Sequence, residues 1–378
     1  MLSVLLRKRL SILVFVFCCL FPLSTTGQSR RTAPTPTPTP DDESVRVITE
    51  EIKLNVLAFD EEGRHFSGVT ANDLVIAENN ILHQPTSVRR VPANVLIVMD
   101  TGGELRQVKS LDQTRKTARG VVGALRPEDS VAILQYNDRA EVVSEWTVDK
   151  QNAMAAIGRT KFGRRSMFVD ALRLSREFLM KSGLDNKHLV LITDGTDSSA
   201  PAATKHEALR DLLATDISVH VLSYTGLEIT DITPRTKAIT NSPPPKAMPD
   251  EIAATLPPGA RDVATTPKMK AIFLDRKHLK TLRNRKADLE ISQQQLSTLA
   301  ENTNGEFILP ESTDEMVEKT ALIAKLIDSS YVVTYTPKIP VSENRDTGMR
   351  ERNIIVTSKR PGLIVEARRK LVIEKPRG

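Results

Sequence analysis

The residues that invite chemistry stand at the ends of two apolar runs. In NVLIVMDTGGELR (94–106) the run from Val95 to Met99 stops at Asp100, and two glycines follow before the text turns polar and helical. In KHLVLITDG a second run stops at Asp194-Gly195. A continuous apolar run with a polar stop reads as a strand buried on both faces. In an open parallel sheet, ligands gather beyond the carboxyl ends of such strands. Two carboxylates converging on one sheet edge need a cation, a shared proton or compensating basic groups.

Enzymatic readings of these residues are weak. MDTGG matches the D-T-G of aspartic proteases, which need two such aspartates on loops of an all-β fold. A homodimer could supply the pair, but the text after Glu104 is helical. This leaves a protease-like enzyme using Asp100 as a remote alternative. A D-x-G-G phosphate loop of the actin-like kinase type would be followed by a hairpin. Neither G-x-x-x-x-G-K-[ST] nor H-E-x-x-H occurs. The expectation is a protein without catalytic activity.

The elements that position the two aspartates are legible from periodicity. SVAILQY and ISVHVLSY are further apolar strands, and SMFVDALRLSREFLMKSG has the apolar spacing of a helix. Strands alternating with amphipathic helices predict an α/β fold, a doubly wound and mainly parallel sheet. Before it, Val45 to Val91 has period two, and the tail after residue 336 returns to short β text. These two segments are expected to pack as a small antiparallel β unit flanking the α/β domain.

The organisation read from the chain is a signal peptide (1–27), a Thr/Pro-rich linker (28–44), an N-terminal β unit (45–93), an α/β domain (94–336) with an insertion at about 226–290, and a C-terminal β segment (337–378). Arg7, Lys8 and Arg9 precede an apolar stretch too short for a comfortable membrane span, which reads as an export signal, with an uncleaved anchor as the alternative. The destination is the cell surface, the periplasm or the medium. Both cysteines lie inside the signal, so the mature chain has no thiol or disulfide chemistry. Losing the three signal cations takes the formal charge from +6 to +3. That modest charge, with aromatics at only 4%, argues against a nucleic-acid partner.

At this point the chain resembles a von Willebrand factor type A domain over roughly 94–225 and 291–336. With β text on both sides, it looks like the type A-related proteins abundant in acidobacteria. In that family a strand ends in D-x-S-x-S, a distant loop supplies a Thr and a later strand ends in D-G, together forming a metal-ion-dependent adhesion site. The resemblance implies a binding or adhesion module presenting an ion to an acidic side chain of a partner. Asp100 matches the first Asp and Asp194-Gly195 the later D-G, while Gly102 and Glu104 replace the two serines and Ser166 falls at the Thr.

Asp100, Ser166, Asp194 and Glu104 are therefore the candidate ligands of Mg²⁺, or of Mn²⁺ or Ca²⁺ if the third carboxylate suits a larger ion. The competing reading, which is favoured, has no metal: Arg164 or Arg165 folds over the carboxylates and neutralises them. Gly102, Glu104, Arg164 and Arg165 are then the partner-binding set, for a protein or surface macromolecule. Each residue also has a bland explanation: a tight turn at Gly102, a first-turn acid at Glu104, a turn cap at Asp194.

The insertion opens with scattered prolines and no periodicity, which reads as loosely packed. Its second half, 268–286, is strongly basic with a helical apolar stripe. Lys277, Lys280, Arg283 and Arg285 could meet an anionic membrane surface, which makes a membrane-surface scaffold the rival function. A solvated helix with its stripe against the domain is the simpler reading.

Overall fold

A computed structural model describes residues 50–103, 110–236, 257, 276–340 and 351–372. The expected signal and linker, Glu104, and the basic segment before residue 276 lie outside them. The period-two text at the front folds as β1 (Ile52–Phe59), β2 (Leu74–Glu78), β3 (Ile81–His83) and β4 (Ser87–Arg89). Between β2 and β3, Asn79 and Asn80 both take positive φ, 46° and 66°. That left-handed pair gives the hairpin a turn whose twist matches the strands.

Strands and helices then alternate. In order come β5 (Asn94–Asp100), α1 (Leu111–Ala124), β6 (Ser130–Tyr136), β7 (Ala140–Thr147), α2 (Lys150–Arg159), α3 (Phe168–Lys181), β8 (Lys187–Thr193), α4 (Ala202–Leu213), β9 (Ser218–Ser223) and α5 (Thr225–Ile232). The next described elements are α6 (Arg276–Asn302), β10 (Phe307–Ile308), α7 (Thr313–Glu318), α8 (Thr320–Asp328), β11 (Ser330–Tyr335), β12 (Glu351–Ser358), β13 (Ile364–Ala367) and β14 (Lys370–Val372).

Six strands form the central sheet in the order β10-β9-β8-β5-β6-β7. Its pairings are parallel except β6 with β7. Val95, Ile97 and Met99 pack with residues of α1, α2, α7 and α8, while Leu96 and Val98 meet α3, α4 and α6. Both faces of β5 are thus covered, which is why its sequence lacks polar alternation. Each such aliphatic side chain contributes about 1.5–3 kcal/mol by burial, so the strand and the position of its last residue are firmly held. The fold is α/β with a mainly parallel sheet, as the periodicity indicates.

Two four-stranded antiparallel sheets, β13-β1-β11-β4 and β14-β12-β2-β3, share a second core around Leu54, Leu74, Ile76, Val333 and Ile354. Here β11 departs from expectation. Its residues read as the last strand of the α/β domain, yet they run antiparallel to β1 with Val333 opposite Leu54. The alternate residues Tyr331, Val333 and Tyr335 are large and complete the antiparallel core, while β10 takes the edge of the central sheet beside β9.

The insertion also differs. It contains α5, whose Ile229 and Ile232 pack on Leu282 and Leu289 of α6. From residue 276 on, the basic segment is part of one continuous helix, α6, that runs to Asn302. The antiparallel sheets meet the central sheet at the amino ends of its strands. Asn55 Nδ2 donates to the Lys187 carbonyl and to Ser218 Oγ, and the buried Arg368 donates to the Thr215 and Ile217 carbonyls. The carboxyl ends lie on the opposite side, away from this contact.

Candidate functional site

Strands β5 and β8 are neighbours with Met99 opposite Ile192. Asp100 and Asp194 therefore leave adjacent strands at the same edge. Asp100 is fully buried; its Oδ1 accepts the Gly102 N–H at 3.1 Å, and Ser166 Oγ lies 3.3 and 3.4 Å from its two oxygens. Tyr136 of β6 reaches the same edge, its hydroxyl 2.6 Å from Thr193 Oγ1 of β8. Burial first, and then the charges of Asp100 and Asp194, push this phenol well above its ordinary pKa. Ser166 thus meets Asp100, and Asp194 follows the neighbouring strand at the same edge.

Asp194 is also buried, and it is already matched with a cation. Its Oδ1 accepts the Thr196 N–H (2.8 Å) and the Thr196 hydroxyl (2.6 Å). Its Oδ2 accepts from Arg285 Nη2 at 3.0 Å, and the same nitrogen donates to Glu228 Oε2 at 2.7 Å. Arg285 Nη1 donates to Thr196 Oγ1 at 2.6 Å. Burial works to lower the guanidinium's pKa, but the charges of Asp194 and Glu228 outweigh it and raise the value.

This corrects two expectations. The guanidinium that reaches Asp194 is Arg285, not Arg164 or Arg165. And Arg285 does not belong with Lys277, Lys280 and Arg283, which are exposed on α6; its side chain is only 19% exposed. Helical spacing accounts for the difference, because Arg285 lies three residues after Leu282 and four before Leu289, both buried. It therefore occupies the apolar stripe of α6 rather than its solvated face.

Arg164 and Arg165 are exposed, in a loop held at many points. Lys161 N donates to Gln135 Oε1, Asn137 Nδ2 to the Lys161 carbonyl, Gly163 N to the Thr101 carbonyl, and Arg165 N to Asp138 Oδ1. Gly102 is buried beneath this loop: a Cβ built on it would stand 1.7 Å from the Arg165 carbonyl oxygen. Gly102 is thus a close-approach position and offers a partner no side chain. Glu104, the remaining candidate of this set, lies outside the described residues.

Sequence reasoning passed over Glu228, Thr196, Tyr136 and Lys205. Lys205 Nζ donates to Ser292 Oγ at 2.8 Å, and Ser292 Oγ to the Gly195 carbonyl at 3.2 Å, joining α4 to α6 beneath the edge. Burial lowers this lysine to about 8 against the pull of Asp194, Asp197 and Asp288. Glu228 could not be found because it lies in text read as loosely packed, whereas Arg285 was findable as a cation in an apolar stripe. The aspartic-protease alternative loses its structural premise, since Asp100 ends a strand of a mainly parallel α/β sheet rather than sitting on a loop of an all-β fold.

The family description of the von Willebrand factor type A domain matches residues 95–196. Among solved structures, a von Willebrand factor type A protein from Catenulispora acidiphila is 10% identical, with 87% of this chain and 74% of that one covered and a TM-score of 0.41. An aerotolerance-related membrane protein from Bacteroides fragilis is 16% identical, with 62% and 98% covered and a TM-score of 0.37. The manganese-loaded TRAP protein of Plasmodium vivax is 12% identical, with 46% and 61% covered and a TM-score of 0.31. No curated protein matches the chain.

Proposed function

Because this chain carries a von Willebrand factor type A domain, we propose that it is an exported, non-enzymatic binding module that takes an acidic segment of a protein partner at the carboxyl edge of its central sheet, without a divalent ion. Supporting this reading above all is the contrast between the buried Asp100 and Asp194 and the exposed Arg164 and Arg165 beside them. The two exposed guanidiniums suit bidentate recognition of carboxylates. Their loop is fixed by the hydrogen bonds already described, so little ordering cost opposes binding. Lys161 and the half-exposed Phe162 adjoin them, giving cations around an apolar contact.

The described donors do not fit a divalent ion. Mg²⁺ takes about six oxygens in near-octahedral array. Here Asp194 Oδ2 already accepts from a guanidinium, and Gly102 has neither a side-chain oxygen nor room for one. Acidic-partner recognition is therefore assigned to the arginine loop.

Fluorescence anisotropy with a labelled peptide of alternating Glu and Leu, against the same peptide with Gln for Glu, tests the reading. The Glu peptide should bind and the Gln peptide should not, with affinity falling as salt rises. Charge reversal at both positions, Arg164→Glu with Arg165→Glu, should remove binding. Equal binding by the two peptides, or full affinity in the reversed variant, refutes it. Binding to anionic vesicles that depends on Lys277, Lys280 and Arg283, with no peptide binding, would favour the membrane-surface function instead.

A further inference from the structure

We propose that Arg285 is the resident cation of the carboxyl edge: its guanidinium takes the place a metal ion would hold between Asp194 and Glu228, so that the domain carries its counter-charge covalently. The inference stands on the α6 geometry and does not depend on which partner is bound.

Asp194 and Glu228 are 1% and 2% exposed, and Asp100 is fully buried at the same edge. Carboxylates taken from water need a partner of opposite charge in good geometry. Arg285 meets that need in a closed arrangement. One nitrogen spans both carboxylates at 3.0 and 2.7 Å. The other donates to Thr196 Oγ1, whose own proton goes to Asp194 Oδ1. Two acids that share one nitrogen lie close enough together for a single small cation to bridge them if the guanidinium were gone.

Independent contacts keep Arg285 in place. Leu282 and Leu289 flank it along α6 and pack on Ile232 of α5. One turn further, Ser292 bonds the Gly195 carbonyl and receives Lys205. Then Leu296 packs so closely on Gly195 that an added Cβ would come within 2.6 Å of it. The helix is thus fastened over the edge on both sides of the arginine, which keeps the guanidinium within reach of Asp194 and Glu228. An ion drawn from solution would have to displace a charge held at fixed position by the fold. Chelators and divalent salts should therefore leave the native protein unchanged.

Manganese titration of the full chain and of Arg285→Met tests this, followed by water-proton relaxation and by the melting temperature. The native protein should show no saturable manganese binding and no shift with either manganese or chelator. Arg285→Met should melt roughly 10 °C lower, as for a buried pair deprived of one partner. Saturating manganese should restore at least half of that loss, with one ion bound. Saturable binding by the native protein overturns the proposal, as does a folded Arg285→Met that binds no manganese. Should Arg285→Met fail to fold, Asp194→Asn with Glu228→Gln is added to it. Recovery of folding in that triple variant supports the replacement of a counter-ion, and continued failure to fold overturns it.

Discussion

The carbonyl oxygen of Arg165 lies 1.7 Å from the point where a Cβ on Gly102 would stand. The turn after β5 and the connection between α2 and α3 cross there with no room for any side chain, and the crossing sets what the edge presents. It withholds a hydroxyl from the neighbourhood of Asp100. It also fixes the backbone that carries Arg164 and Arg165 outward. A glycine at this point is required by packing, and that requirement gives the first prediction.

Gly102→Ser should destabilise the fold by about 1–3 kcal/mol or more, because the new Cβ must push the backbone at residue 165 aside. The urea midpoint reports this directly. Restoring the serine of the adhesion-site pattern should not by itself create an ion site, since Arg285 still faces Asp194. A Gly102→Ser protein of native stability would show that the two loops separate easily.

Stability should fall as pH drops below about 6.5, the ordinary histidine value. The reason is a buried pair at the amino ends of β8 and β9. Glu306 N donates to His220 Nδ1, so His220 donates through Nε2 to His188 Nδ1 at 3.1 Å, and His188 Nε2 donates to Asn186 Oδ1 at 2.9 Å. Both rings are held neutral by burial, His188 down to about 3 and His220 well below its usual value. The unfolded chain therefore takes up protons that the folded chain refuses. Their stabilising contribution is complete above pH 6.5 and declines on acidification, at up to about 1.4 kcal/mol per pH unit for each ring. Urea midpoints at pH 7.5 and 5.0 measure the slope, and His220→Gln should flatten it. An unchanged slope in that variant would place the pH dependence elsewhere.

In the antiparallel core, Arg352 Nη1 donates to Glu78 Oε1 at 2.7 Å and Nη2 to the Pro340 carbonyl, with both side chains nearly inaccessible. Arg352→Met should cost about 3–5 kcal/mol, because the buried Glu78 loses its guanidinium partner. Adding Glu78→Gln should return much of that loss. Chemical denaturation of the single and double variants gives the coupling between them.

Arg164→Glu with Arg165→Glu should abolish binding of the acidic peptide while changing stability by less than about 0.5 kcal/mol. Both side chains are exposed, and surface substitutions away from caps and networks are usually that mild. A marked fall in melting temperature would assign these arginines a role in holding the loop.

Much of the architecture was legible in the sequence. Val95 to Met99 could only be a strand buried on both faces, since it offers no polar face to water. The positions of Asp100 and Asp194 at strand ends, and hence on one edge, follow from the length of the apolar runs. Periodicity is a property of neighbours in the chain, and these features depend on neighbours.

What the sequence could not decide was which distant residue meets which. The sequence offered Arg164 and Arg165, beside Ser166, as the cations for the carboxylates, and set Arg285 with the membrane-facing basic residues. Arg285 meets Asp194 because α5 and α6 bury their apolar stripes against each other, carrying that one cation inward while Lys280 and Arg283 remain in water. In the same way β11 joined the antiparallel sheets because its tyrosines fit a core that exists only once both chain segments have met. Long-range pairing is settled by the summed burial and charge compensation of the whole fold, and only the folded arrangement brings those terms together.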